Sequence, residues 1–114
     1  MIAWYKYFIA RSPEKDIIFL GDFNEKRRHP LFAKFSASGL KVVTAGIPAT
    51  NLGDTEDFDH IIINEGYTRE FSGRVETFKF DEILFGNDGK RAQKAVSNHR
   101  PVIATFRTDL PDDD

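Results

Sequence analysis

The sequence has no cysteine, no long apolar run and little net charge. Without cysteine, neither a disulfide framework nor a cysteine-based zinc site can form. No stretch reaches the roughly 18 apolar residues of a membrane span. We expect no signal peptide, because Lys6 interrupts the first apolar residues. The net charge of −2 lacks the basic excess of a dedicated nucleic-acid binder. These absences favour a cytoplasmic protein.

The residues that are present suffice for one folded domain. The chain has 114 residues, 40% of them hydrophobic, and 11 are phenylalanine. That apolar content can build a core, so intrinsic disorder is a poor interpretation. We expect residues 1–108 to form one domain and the acidic residues 109–114 to form a disordered tail.

The pattern along the chain intermixes helices and strands, which indicates an α/β or α+β fold. Apolar residues at helical spacing predict a short amphipathic helix over residues 2–10. His29-Pro30 opens a second predicted helix, and Gly39 ends it. Strands are predicted at residues 17–20 (buried on both faces), 40–43, 61–63 and 102–106, and a strand or an extended connection at 74–80. A loop is predicted at 45–57, a turn at 87–89 and a short helix or loop at 90–95.

Polar residues stand at one end of three predicted strands, where ligands of open α/β sheets gather. Asp22 and Asn24 are two residues apart and offer oxygens to one face of an extended segment, which suits Mg²⁺. Before the last strand, His99 can exchange a proton or stabilise a phosphoryl oxygen, and a neighbouring carboxylate would orient it. Each motif alone has an ordinary interpretation as a turn, a loop histidine or a cap. Their combination in this order is harder to explain in that way.

Three segments carry a specific resemblance. IIFLGDFN at 17–24, FDHIII at 58–63 and SNHRPVIATF at 97–106 resemble the C-terminal signature segments of the endonuclease/exonuclease/phosphatase superfamily, the DNase I-like fold. The resemblance extends from about Trp4 to Phe106. It implies a metal-dependent phosphoester hydrolase, a nuclease or a phosphatase, that uses Mg²⁺ or Mn²⁺. It also implies half of a four-layer sandwich, with a mixed β-sheet flanked by helices.

The resemblance assigns roles to individual residues. Asp22 would position or activate the attacking water and lie near the metal, and Asn24 would contact the phosphate. Asp59 would pair with His99, which would touch the scissile phosphoryl group. Asn98 would be a metal ligand, although the family usually has aspartate there.

The family domain is longer than this chain, and its N-terminal half supplies an asparagine and a glutamate that bind the metal. Half a sandwich leaves the inner face of its sheet exposed and apolar. We therefore expect either a missing N-terminal half or self-association to cover that face.

A basic segment directly follows the first polar cluster. Arg27 and Arg28 would lie beside the site and could bind phosphate, although a solvated charged loop is an equally good interpretation. The segment has no interleaved aromatic residues, so it carries no base-stacking signature. Nucleic acid, a phosphoinositide and other phosphorylated small molecules all remain open as the phosphate ester substrate.

Two other interpretations compete with a phosphoesterase of this family. The chain could be a catalytically inactive fragment or a binding module that retains the half-fold, as Asn98 suggests. A calcineurin-like metallophosphatase would use Gly53-Asp54 together with Asn98-His99. The sequence lacks the Asp-x-His motif that opens such a site, so this is a minor alternative.

Overall fold

The computed structural model describes residues 1–111, so residues 112–114 of the predicted acidic tail lie outside the described residues. Helices and strands are intermixed, which confirms the α/β class. In chain order the elements are α1 (Ile2–Ile9), β1 (Phe19–Asp22), α2 (Pro30–Ser36), β2 (Lys41–Val42), β3 (Asp59–Ile63), β4 (Phe71–Thr77), α3 (Phe80–Phe85), α4 (Gly89–Ala95) and β5 (Val102–Phe106).

The strands form two small sheets. One has the order β1-β3-β2, and the other pairs β4 with β5. Every named strand pair in residues 1–111 is antiparallel, so the prediction of a mixed sheet is wrong. The antiparallel direction agrees with the positions of the polar residues, which lie at the end of β1 and at the start of β3. The end of one strand and the start of its neighbour lie side by side only if the two strands run in opposite directions.

The central strand β3 supplies both hydrophobic clusters of the core. Ile62 joins a cluster that contains Tyr5 and Phe35, whereas Ile61 and Ile63 point to the other face. On that second face they pack with Val43, Phe71, Val102 and Ala104. The prediction of a buried strand at residues 61–63 is therefore confirmed. Asp59 is the first residue of this strand, so the packing of the three isoleucines also holds Asp59 in position.

The strand predicted at residues 17–20 differs from β1 in position and in burial. It lies at Phe19–Asp22, at the edge of its sheet, and Leu20 is 71% exposed. The prediction that this strand is buried on both faces is wrong. An apolar run reports a preference for burial but does not reveal which strand of a sheet lies at the edge.

The helices follow local signals more closely. α1 and α2 are confirmed, and His29 caps α2 by accepting the backbone N–H of Leu31 at Nδ1, at 3.2 Å. α3 was not expected, because its Phe80 was assigned to the end of a strand or extended connection at 74–80. Among residues 1–111, no helix combines the length and the apolar character that crossing a membrane requires.

Candidate active site

Asp22 and Asp59 are cross-strand partners in the β1–β3 ladder. Asp22 is the last residue of β1 and Asp59 is the first residue of β3. Directly opposed residues of an antiparallel pair project from the same face, with Cβ atoms about 5 Å apart. The two carboxylates therefore meet at the end of the sheet, on the face that also carries Leu20 and Ile61.

A tight turn after β1 fixes the Asp22 side chain. Its Oδ1 accepts the backbone N–H of Asn24 at 2.7 Å, and Asn24 adopts a left-handed conformation with φ of 50°. Asparagine tolerates that conformation better than most residues. The backbone N–H of Phe23 donates to the carbonyl of Phe58 at 2.9 Å, so the two chains stay joined beyond the ladder. One carboxylate oxygen of Asp22 is thereby held, and the other remains for the site.

His99 reaches the same place from the segment before β5. Its Nδ1 lies 2.8 Å from Oδ2 of Asp59, and the two side chains are 26% and 22% exposed, respectively. Ser97 Oγ accepts the backbone N–H of His99 at 3.0 Å and so shapes the turn that presents the ring. Because a carboxylate only accepts, Nδ1 carries the proton and Nε2 is left for a ligand or substrate.

The three side chains form one cluster, which we call the Asp22–Asp59–His99 cluster. Each can offer one ligand atom such that these atoms all lie within 4.8 Å of one another. Two ligand atoms that each lie about 2.0–2.4 Å from the same ion are at most about 4.8 Å apart, so the spacing of the cluster fits one divalent cation. The two carboxylates would supply oxygen ligands, which suit Mn²⁺ as well as Mg²⁺ and do not single out Mg²⁺.

A small cavity of about 150 Å³ opens beside the cluster. It is lined by Leu20, Gly21, Asp59, His60, Ile61 and Val102. Asp59 is the member of the cluster that lines this cavity, which is smaller than the roughly 300–1,000 Å³ of a usual small-molecule site.

Searches of protein families and of curated proteins find no match to this chain.

The other residues proposed from the sequence lie around the cluster or apart from it. Asn24 and Asn98 are exposed and directly adjoin the site in the chain, and the backbone carbonyl of Asn98 accepts the N–H of Leu52 at 3.0 Å. Arg27 lines a separate cavity of about 630 Å³ between α2 and β2, and Arg28 is exposed. No hydrogen bond or ion pair in residues 1–111 joins either arginine to the cluster, and their phosphate-binding role remains a prediction.

Arg100, next to His99, is a buried anchor that the sequence did not reveal. It is 2% exposed, and its guanidinium donates to both carboxylate oxygens of Asp81 on α3, at 2.8 and 2.7 Å. This hydrogen-bonded pairing raises the pKa of Arg100 and lowers that of Asp81. The anchor fixes the backbone beside His99. Asp81 is 19 residues away on a helix that was not expected, so no local pattern indicated the pair.

Asp54 is a second partner of Arg100. In the minor alternative, this aspartate would help to hold a metal in a calcineurin-like site. Its carboxylate is instead engaged with the guanidinium, and Lys79 Nζ lies 3.8 Å away. That environment gives no support to a second metal site at this loop.

Proposed function

We propose that the chain carries the C-terminal half of the active site of a metal-dependent phosphoester hydrolase, a nuclease or a phosphatase. One observation carries the proposal. Three segments far apart in the sequence bring two carboxylates and a hydrogen-bonded histidine into a cluster that could hold one cation. The resemblance of the same three segments to the endonuclease/exonuclease/phosphatase superfamily gives partial support, because it assigns roles to the same residues.

Asp22 is the residue best suited to handle the attacking water. It is exposed at a strand end, and the turn to Asn24 holds only one of its carboxylate oxygens. The other oxygen can accept a hydrogen bond from water and orient that water towards phosphorus. Asn24 follows in the same turn and would donate its side-chain amide to a phosphate oxygen.

His99 and Asp59 would act together on the phosphoryl group. Asp59 accepts the proton at Nδ1, so the imidazole is held with Nε2 directed away from the carboxylate. From there Nε2 can donate a hydrogen bond to a phosphoryl oxygen when the ring is protonated. Through this hydrogen bond Asp59 would orient His99, and His99 would stabilise the charge that develops in the transition state.

A divalent cation would be held by Asp22 and Asp59, with position 98 adjoining it. When bound, Mg²⁺ or Mn²⁺ neutralises charge on the phosphate and favours in-line attack by water. Two carboxylates opposed at one sheet end repel each other, which gives this pair a physical reason to take up a cation.

The finer features of the fold are part of the same proposal. We infer a half of the DNase I-like sandwich, completed by an N-terminal half or by a second copy of the chain. The exposed apolar side chain of Leu20, on the face that carries the cluster, supports this inference. A cytoplasmic location also remains a prediction, which cell fractionation would test.

The test is metal-dependent hydrolysis by the full-length protein, with p-nitrophenyl phosphate monoesters and diesters as probes. His99→Ala and Asp22→Ala should each lower kcat by about 10²-fold or more, the usual scale for such groups. Glu76→Gln removes an exposed carboxylate on β4 and serves as the matched control. If both site variants keep the wild-type rate, the assignment fails.

A second candidate, an inactive half-fold that serves as a binding module, is favoured by Asn98. An amide in place of a carboxylate removes one negative charge from a site for a hard cation. In that case the wild-type protein would bind Mn²⁺ weakly and hydrolyse neither probe.

A further inference from the structure

Thr50 lies in the loop between β2 and β3 and is fully buried, with 0% of its surface exposed. It contacts the chain segments that carry both members of the His99–Asp59 pair. Its Oγ1 accepts the backbone N–H groups of Phe58 and Asp59, at 3.1 and 3.2 Å. Its carbonyl oxygen accepts the backbone N–H of Arg100, the residue after His99, at 2.6 Å.

We propose that Thr50 is the positioning residue that sets the separation of Asp59 from His99. The side chain holds the start of β3, and the main chain of the same residue holds the segment before β5. A single buried residue thus fixes the two backbones whose side chains meet at 2.8 Å. The inference rests on the proposed function only where it concerns catalysis, because the geometry of the pair can be measured without turnover.

Further hydrogen bonds within the loop between β2 and β3 hold Thr50 in position. Its own N–H donates to the carbonyl of Glu56 at 2.8 Å. Asn51 Oδ1 accepts the N–H groups of Thr55 and Glu56, at 2.9 and 3.0 Å. Asn51 also pairs with His99 in an isolated antiparallel bridge. The loop is therefore tied to the histidine segment by a single bridge, directly after Thr50, whose hydroxyl holds the start of β3.

The chemistry of the side chain separates positioning from packing. Valine has nearly the shape of threonine but no acceptor, so Thr50→Val would remove the hydroxyl that two partly buried N–H groups use. Serine lacks the methyl group but keeps the hydroxyl, so Thr50→Ser would preserve both hydrogen bonds. A residue that served only to fill space would tolerate valine better than serine.

The decisive experiment records long-range ¹H–¹⁵N NMR spectra of the histidine rings in the full chain, at about pH 8.5, where imidazole is normally neutral. In the wild type, His99 should carry its proton on Nδ1, since Asp59 accepts there. Thr50→Val should lose this Nδ1–H signature, and Thr50→Ser should keep it. A folded Thr50→Val variant with the wild-type His99 spectrum would overturn the proposal.

His60 provides an internal control in the same spectra. Its Nε2 lies 3.1 Å from the carbonyl of Glu25, which can only accept, so its proton belongs on Nε2. This opposite tautomer should be unchanged in every folded variant. If Thr50→Val does not fold, Thr50→Ser decides alone: a wild-type His99 signature supports positioning by the hydroxyl, and a changed signature overturns it.

The activity of the same variants gives a second measurement. Thr50→Val should lower kcat by between about tenfold and a hundredfold, with KM changed far less, because a small misplacement of a catalytic group is costly. Thr50→Ser should restore most of kcat. A wild-type protein without activity would count against the proposed function, whereas the ring spectra would still decide the role of Thr50.

Discussion

Asp22 and Asp59 lie directly opposite each other on neighbouring antiparallel strands, and His99 is hydrogen-bonded to Asp59. Like charges in that arrangement destabilise a sheet, by roughly 0.2–1 kcal/mol for an exposed pair. A fold selected only for stability would avoid the arrangement, and violations of this kind concentrate at functional sites. A bound cation or a protonated histidine would convert the repulsion into attraction.

Asp22→Asn should have opposite effects on stability and on metal binding. The amide oxygen can still accept the N–H of Asn24, so the turn survives while one negative charge is removed. In the presence of a chelator, which keeps the protein free of metal, the free energy of unfolding should rise by about 0.5 kcal/mol. Affinity for Mn²⁺, measured by calorimetry, should fall by at least about tenfold. Glu76→Gln, which removes a charge away from the cluster, should change neither quantity, and equal affinities of all three proteins would rule out a cation at this site.

Asn98→Asp should strengthen Mn²⁺ binding. The resemblance assigns position 98 to the metal, and a carboxylate is a better ligand for a hard cation than an amide. We expect an increase in affinity on the order of tenfold, about 1.4 kcal/mol. Because Asn98 is exposed and its backbone carbonyl holds Leu52, the substitution leaves the hydrogen bonds of the main chain unchanged. Unchanged or weaker binding would remove position 98 from the ligand set.

The sequence predicted which segments come together at the candidate site, but not how the strands that carry them are joined. Polar residues at strand ends indicated Asp22, His99 and a carboxylate beside the histidine, and the resemblance assigned that carboxylate to Asp59. The antiparallel direction and the edge position of β1 depend on contacts between strands. Local patterns do not encode those contacts.

The roles of Thr50 and Arg100, which hold the segments of the candidate site in place, could not be predicted from the sequence for a different reason. Thr50 and Arg100 act through partners that are distant in the chain, and their residue types are common in loops. Thr50 reaches Asp59 across 9 residues, and Arg100 reaches Asp81 across 19. Only the folded structure shows that both are almost fully buried, which is where a hydrogen bond matters most.

Asp81→Asn should destabilise the protein in a pH-dependent way. The Arg100 guanidinium lowers the pKa of Asp81 below its ordinary value of 3.8. A lowered pKa in the folded state gives stability that is complete well above pH 4 and is lost as the pH falls through the folded value. At neutral pH the substitution should cost about 3 kcal/mol, because it leaves a buried arginine with only Asp54 as a carboxylate hydrogen-bond partner.

Urea unfolding of both proteins at several pH values tests this expectation. The difference between wild type and Asp81→Asn should shrink steadily below about pH 4, as the wild-type carboxyl becomes protonated. Glu76→Gln again serves as control, since its pair with Arg74 is exposed and should contribute little at any pH. A constant difference down to about pH 2 would mean that the ion pair is not the source of the stability.

Leu20 should mediate association of the full chain or contact with a further segment. It is 71% exposed on β1, two residues before Asp22, and Ile18 beside it is 40% exposed. Apolar side chains at a sheet edge favour pairing with another surface, because burial removes them from water. Light scattering over a range of concentrations should therefore show self-association of the wild type that Leu20→Ser weakens.

Ile83→Ser is the matched control, since Ile83 is comparably exposed, at 67%, on α3. A wild type that stays a compact monomer at every concentration would contradict self-association, and equal effects of both substitutions would show that general surface hydrophobicity, rather than the face beside the cluster, drives it.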